Sequence, residues 1–220
     1  AEIEKRRDSL LCVAAGNSTT GVYAELVRKA ETDRELFRAL SVIKLDEWGG
    51  IPVNHPVSSE AYVQSRLLQP LGIPLERYIA FASDAAAPAE ECERIRGELA
   101  RRGPIDVCIL GLGINGHVGF NEPGPFLLPY CHVAHLSEES RRHAMVRSLE
   151  RKPAFGLTLG MQEILASRKI VLVVAGEGKR RAAARLVSGE VSTEVPASFL
   201  WLHANADCVI DRTVLADRAG

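Results

Sequence analysis

The chain has 220 residues, 46% of them apolar and 25% charged, and a formal net charge of −1. That length builds one α/β domain of ordinary size, or two small ones, with a substantial core. The balanced charge leaves no electrostatic footprint for nucleic acid or an anionic membrane surface. No apolar run approaches the roughly 18 residues of a membrane-spanning helix.

The charged start, AEIEKRRDS, has no apolar stretch of the signal-peptide kind, and its missing Met points to a processed or trimmed N-terminus. The cysteines (Cys12, Cys92, Cys108, Cys131 and Cys208) are odd in number and lack C-x-x-C spacing. This argues against a disulfide frame or a zinc site and for a reduced, cytoplasmic protein. Cys12, Cys108 and Cys208 lie in apolar runs, where Cys is expected to behave as a small hydrophobe.

In chain order, strands are expected at LLCVAA (10–15), VIKL (42–45), YIAF (78–81), IDVCILGLG (105–113), HVAHL (132–136), FGLTLG (155–160), IVLVVAG (170–176) and DCVID (207–211). Several are continuously apolar, as in parallel strands buried on both faces. A helix starts near Thr20. Another covers 88–101, where Pro88 suits the first turn and Cys92, Ile95 and Leu99 share a face. A third covers 178–187 with Ala182, Ala183 and Leu186 inward. Strands alternating with helices give βαβ units. The expected fold is α/β: a single Rossmann-like domain over 1–220 with a mostly parallel sheet covered by helices on both faces. There is no internal repeat, low-complexity segment or Ser/Gly linker.

Ligands of such sheets bind at the carboxyl ends of the strands, which directs attention to loops 16–20, 46–57, 111–131 and 176–179. In AAGNSTTG (14–21), the backbone N–H groups with Gly16, Asn17, Ser18 and Thr19 suit a phosphate; ordinary helix capping is the competing explanation. In LDEWGG (45–50), Asp46 and Glu47 end an apolar strand, where a half-buried acid suits proton abstraction from carbon; a helix cap or solvated turn competes. GLGINGHVGFNEPG (111–124) contains the G-x-G-x-x-G of dinucleotide sites at Gly111, Gly113 and Gly116. The helix that such a site requires is blocked by Gly119, Gly124, Pro123, Pro125 and Pro129. The alternative is a long functional loop. In it His117 is a general acid/base near neutral pH, Glu122 its orienting carboxylate and Asn115 a fixing group; a His bonded to a backbone carbonyl competes. AGEGKRR (175–181) lacks P-loop spacing, but Lys179 at a strand-to-helix junction suits a phosphate.

Together these segments resemble the glucosamine-6-phosphate deaminase/isomerase family over most of the chain, in order and with similar spacing. LDEW with HPVS (45–58), LGLGINGHVGFNEPG (110–124) and VPASFLWLH (195–203) carry the resemblance, the second being highly specific. Segment 140–160 is similar to the galactosamine-6-phosphate branch. The resemblance implies that Asp46 is the enolisation base and His117 the ring-opening acid/base, supported by Glu122 and Asn115. Some family members carry Asp at the position of Asn115. It also implies that Ser18 and Lys179 hold the phosphate, with a second phosphate cation aligned ambiguously at Val146 or Arg147. The implied partner is a small-molecule sugar phosphate, with no cofactor and no metal; the resemblance leaves room for a homo-oligomer. The expected activity is amino-sugar 6-phosphate isomerisation with deamination, galactosamine 6-phosphate favoured over glucosamine 6-phosphate. Two rivals remain. A 6-phosphogluconolactonase shares the G-H core but lacks Phe120-Asn121-Glu122-Pro123, and a sugar-phosphate sensor of the same fold needs a helix-turn-helix for which this chain has no room.

Overall fold

The computed structural model describes residues 2–176 and 178–215. Its strands are β1 (Leu10–Val13), β2 (Ser41–Lys44), β3 (Asp46–Trp48), β4 (Tyr78–Ile79), β5 (Val107–Gly111), β6 (His132–His135), β7 (Phe155–Thr158), β8 (Lys169–Val174) and β9 (Ala206–Ile210). Six of them form one sheet in the order β4-β2-β1-β5-β8-β9, every neighbouring pair parallel.

The alternation of a strand explains the two layers of core. On one face Leu11, Val13, Val42, Val107 and Ile109 pack against Tyr23 and Ala30 of helix Thr20–Thr32 and against Leu67, Leu68 and Leu71. On the other, Leu10, Cys12, Ile43, Cys108, Leu110, Ile170 and Leu172 meet Cys92 and Ile95 of helix Pro88–Arg102 and Ala182, Ala183 and Leu186 of helix Arg180–Val187. The α/β expectation, with helices on both faces, therefore holds. Cys208 departs from it: it is exposed on edge strand β9 rather than packed as a hydrophobe. Among the described residues no helix is long and apolar enough to cross a membrane.

Two expected members of the parallel sheet lie elsewhere. β6 and β7 form an antiparallel sheet with β3, in the order β3-β7-β6. β3 itself falls within the segment 46–57 expected to be a loop. The reason is the link between β2 and β3, which is Leu45 alone. One residue is too short for any crossover, so the chain leaves the parallel sheet and enters the small one directly. Trp48, Phe120, Ala134, Leu136 and Val146 give the small sheet its own core.

The crossing carries buried charge. Lys44 and Glu47 have fully buried side chains. Lys44 Nζ donates to Glu47 Oε2 and Glu60 Oε2, each at 2.7 Å. Glu47 also accepts the backbone N–H groups of Trp48, Ser59 and Glu60 at 2.8–2.9 Å, and Tyr78 donates to Glu60 at 2.9 Å. Removing one member strands the other charges in a low-dielectric interior. Glu47→Ala is expected to lower the free energy of urea unfolding by about 3–5 kcal/mol. A loss below about 1 kcal/mol would mean that the cluster is solvated and that this view of it is wrong.

Candidate active site

Strand order reverses direction between β1 and β5, and the crevice of an open sheet lies at the carboxyl ends beside such a switch. A cleft of about 440 Å³ occupies that place. It is lined by the loop after β1 (Ala14–Thr19), Asp46 of β3, the turn after β5 (Gly111–Ile114 with His117), Lys179 beyond β8, and residues of 139–144.

The opening glycines have a structural use other than holding a nucleotide. Gly113 donates to the His117 carbonyl at 2.8 Å, Gly116 N–H to the Gly113 carbonyl at 3.1 Å, and Gly116 has φ +96°. The turn this closes folds the His117 ring back over Gly113, where a side-chain carbon would overlap the imidazole. From 112 to 131 the only pairing is the short bridge Val118–Asn121, and no helix follows the glycines. The dinucleotide pattern therefore lacks its required context.

Behind His117 stands a polar scaffold. Its Nδ1 lies 3.4 Å from Glu122 Oε2 and 3.3 Å from Ser140 Oγ. Asn115 Nδ2 donates to Glu122 Oε2 at 2.9 Å and to Ser137 Oγ at 3.2 Å, and its Oδ1 accepts the His117 N–H at 3.2 Å. Burial pushes the Glu122 carboxyl up, but the hydrogen bonds and charge of His117, with Ser140 and Asn115, outweigh it and hold Glu122 at about 2. An ionised carboxylate thus faces Nδ1, which places the proton of a neutral imidazole there and leaves Nε2 to exchange protons in the cleft.

Asp46 is in a different environment. It is 7% exposed, and among the described residues none donates a hydrogen bond to its carboxylate. Burial, helped by the adjacent Glu47 and opposed by Lys44, raises its carboxyl to about 7. Glu47 points to the opposite face of β3 and is committed to the Lys44 cluster, so it is no substitute for Asp46.

At the phosphate-like end, side-chain hydroxyls tie the loops together. Thr19 lines the cleft but is buried, and its hydroxyl is engaged by the Ala14 and Gly16 carbonyls, 3.1 and 3.0 Å away, which braces the loop. Ser18 Oγ donates to the Ala175 carbonyl at 3.0 Å and ties this loop to the end of β8. Gly16 and Asn17 line the cleft beside it. Lys179 caps helix Arg180–Val187 and is held below its ordinary pKa by burial. Glu177, inside the expected loop 176–179, lies outside the described residues.

Neither expected position of the second cation fits. Val146 is buried in the small sheet's core and Arg147 does not line the cleft, whereas Arg142 does. Beyond the likeness of 140–160 to one branch of the family, sequence reasoning gave residues 139–144 no place in the site, because this wall hangs from helix Glu138–Arg141 between β6 and β7. Its one local signal is SEES (137–140), where Ser137 caps that helix by accepting the Ser140 N–H at 3.1 Å. Among the described residues no three His, Cys, Asp or Glu side chains gather as a metal-holding group.

The raised Asp46 has a stability consequence whose sign is fixed. A carboxyl with a folded-state pKa above its unfolded value binds the proton more tightly when folded, so stability falls as pH rises from about 4 to about 7 and is level beyond. Asp46→Asn removes that loss. It is expected to stabilise the protein at pH 8, by at most about 4 kcal/mol, and to be near neutral at pH 4. A urea series at both pH values measures this; equal effects at the two would refute the buried-acid assignment.

Comparison with known proteins gives the family. Residues 1–210 match the family model described as glucosamine-6-phosphate isomerases/6-phosphogluconolactonase. The chain is 40% identical over 211 residues to the Escherichia coli K12 protein named "Putative deaminase AgaI", covering 96% of this chain and 84% of that one. It is 34% identical over 213 residues to glucosamine-6-phosphate deaminase 1 of Bacillus subtilis 168, covering 96% and 88%. A solved monomeric glucosamine-6-phosphate deaminase superimposes with a TM-score of 0.90 at 32% identity, over 97% of this chain and 90% of that one. The chain therefore belongs to the glucosamine-6-phosphate isomerase/6-phosphogluconolactonase family.

Proposed function

We propose that the protein converts a hexosamine 6-phosphate and water into the ketose 6-phosphate and ammonia. One observation carries this reading: an unpaired carboxyl at Asp46, His117 backed by Glu122, and Lys179 open on a single cleft. Lys179, Arg142 and the Gly16–Ser18 backbone take the phosphate. His117, steadied by Glu122 and Asn115, carries the O1 proton to O5 and opens the pyranose. Asp46 removes the C2 proton and returns it to C1, which leaves an imine at C2. Water adds to that carbon and ammonia leaves. A lactonase has no use for a base at C2, and Asp46 is the feature that separates the two chemistries. Galactosamine 6-phosphate is the favoured epimer, on the likeness of segment 140–160 to that branch. A cytoplasmic setting belongs to the proposal and is supported by five unbridged cysteines.

Ammonia release from both hexosamine 6-phosphates tests the reading, with 6-phosphogluconolactone as the contrasting substrate. Acid release from the lactone without ammonia from either sugar would overturn it. Asp46 must be ionised to act, so kcat/KM is expected to rise with pH through about 7. Asp46→Asn is expected to bind substrate yet lose about 10²–10⁴-fold in exchange of the C2 proton with deuterated water. Exchange at the wild-type rate would remove Asp46 from the mechanism.

Lys179→Ala is expected to raise KM by about 10–100-fold with a smaller change in kcat, as for a contact made equally in ground and transition states. Equal turnover of the phosphorylated and unphosphorylated amino sugar by the wild type would sink the phosphate assignment.

A further inference from the structure

The cleft wall at 139–144 contains a ring that the mechanism above does not use. His143 donates its backbone N–H to the Ser140 carbonyl at 3.0 Å. Its Nδ1 accepts the Met145 N–H at 3.3 Å. Its imidazole lies against Trp48, with centroids 5.7 Å apart and planes 34° apart, and Trp48 rests in turn on Phe120 at 4.6 Å. Three contacts thus fix where the ring stands and how it is turned.

They also fix its proton. A nitrogen that accepts an N–H presents a lone pair, so the neutral ring carries hydrogen at Nε2. Nε2 has no hydrogen-bond partner among the described residues, and His143 lines the cleft. The ring stays neutral: burial, with the charges of Lys179 and then His117, holds it down at about 4. His143 therefore presents one oriented N–H donor at this wall.

Its location follows from the same neighbours. Lys179 marks the phosphate end of the cleft, and His117 with Asp46 marks the C1–C2 end. His143 lines the same cleft as Lys179 and His117, and it is bonded to Ser140, whose Oγ stands 3.3 Å from His117 Nδ1, so a hexose spanning the two ends passes along its ring. There the chemistry to be read is the hydroxyl edge at C3 and C4.

We propose that His143 donates Nε2–H to the C3–C4 hydroxyl edge of the substrate and so makes the cleft selective for one C4 epimer. This rests on the functional reading above. Epimers at C4 differ only in where one hydroxyl points. A fixed donor is satisfied by one of them and left unpaired by the other, and an unpaired buried donor costs more than an average hydrogen bond gives.

The test compares kcat/KM for galactosamine 6-phosphate and glucosamine 6-phosphate in the wild type, His143→Phe and His143→Gln. The wild type is expected to prefer one epimer by about tenfold or more. His143→Phe keeps a ring against Trp48 but has no donor. It is expected to raise KM for the preferred epimer, to lower KM for the other because no donor is then left unpaired, and so to bring the ratio about tenfold closer to one. His143→Gln restores an N–H and is expected to recover part of the preference, and it stands in if the Phe variant fails to fold. An unchanged ratio, an equal loss on both epimers, or a wild type without preference would overturn the proposal. If the wild type releases ammonia from neither sugar, the functional reading fails separately. The His143 contact is then judged by calorimetric Kd values for the same two sugar phosphates. A wild-type preference that disappears in His143→Phe supports it, and a preference that persists, or no binding of either, overturns it.

Discussion

Leu45 donates its N–H to the Val13 carbonyl at the end of β1, and its own carbonyl accepts the Leu159 N–H just beyond β7, both at 2.9 Å. One buried residue is thereby hydrogen-bonded to both sheets, and the remainder of the site hangs from that joint. Because Leu45 is fixed from both sides, Asp46 enters the cleft at a set height above β1 and β5. Because β7 pairs with β3, the wall between β6 and β7 is brought over the same cleft, with Ser137 and Ser140 reaching the His117 scaffold. A mobile hinge here would uncouple Asp46 from His117.

The two acids of β3 illustrate how environment assigns chemistry. Glu47 has a lysine and three backbone donors, which is what a buried carboxylate requires to remain charged. Asp46 has none of these and rises to about 7, with the charge of Glu47 as a contributing cause. The structural ion cluster and the candidate base are therefore electrically coupled. The cluster holds the chain in place, and its negative member also helps keep the neighbouring acid basic. Glu122, buried to a similar degree but richly hydrogen-bonded, goes the other way. The cleft thus has one carboxyl on its lining poised to take a proton, and another behind His117 that stays ionised.

The parallel sheet was legible in the chain because its strands are short, continuous apolar runs and its helices carry spaced apolar faces. β3 was not: Asp-Glu-Trp offers two acids and no apolar run, and becomes a strand only because Lys44 neutralises one acid and β7 supplies a partner. What depended on β3 was lost with it. The wall bearing Ser140, Arg142 and His143 is placed by long-range pairing, so a second cation was sought at Val146 or Arg147, and Arg142, which lines the cleft, was passed over. The glycine loop was legible because its prolines rule out the rival helix locally. Thr19 shows a smaller failure of the same kind. A hydroxyl in a Gly-Asn-Ser-Thr turn looks available until the carbonyls of Ala14 and Gly16 are seen to claim it.

The pleat of β3 has a consequence for how this site can change. Strand parity, not side-chain identity alone, decides which acid meets the cleft, so the order Asp-Glu is a code read in steps of two. One residue inserted or deleted between Lys44 and Asp46 would exchange the two acids. Glu, longer by a methylene, would project into the cleft, and Asp would fall short of the Lys44 cluster, so that base and anchor would fail together. Drift at this joint is confined to substitution, whereas the exposed turn at 188–190 is free to vary in length.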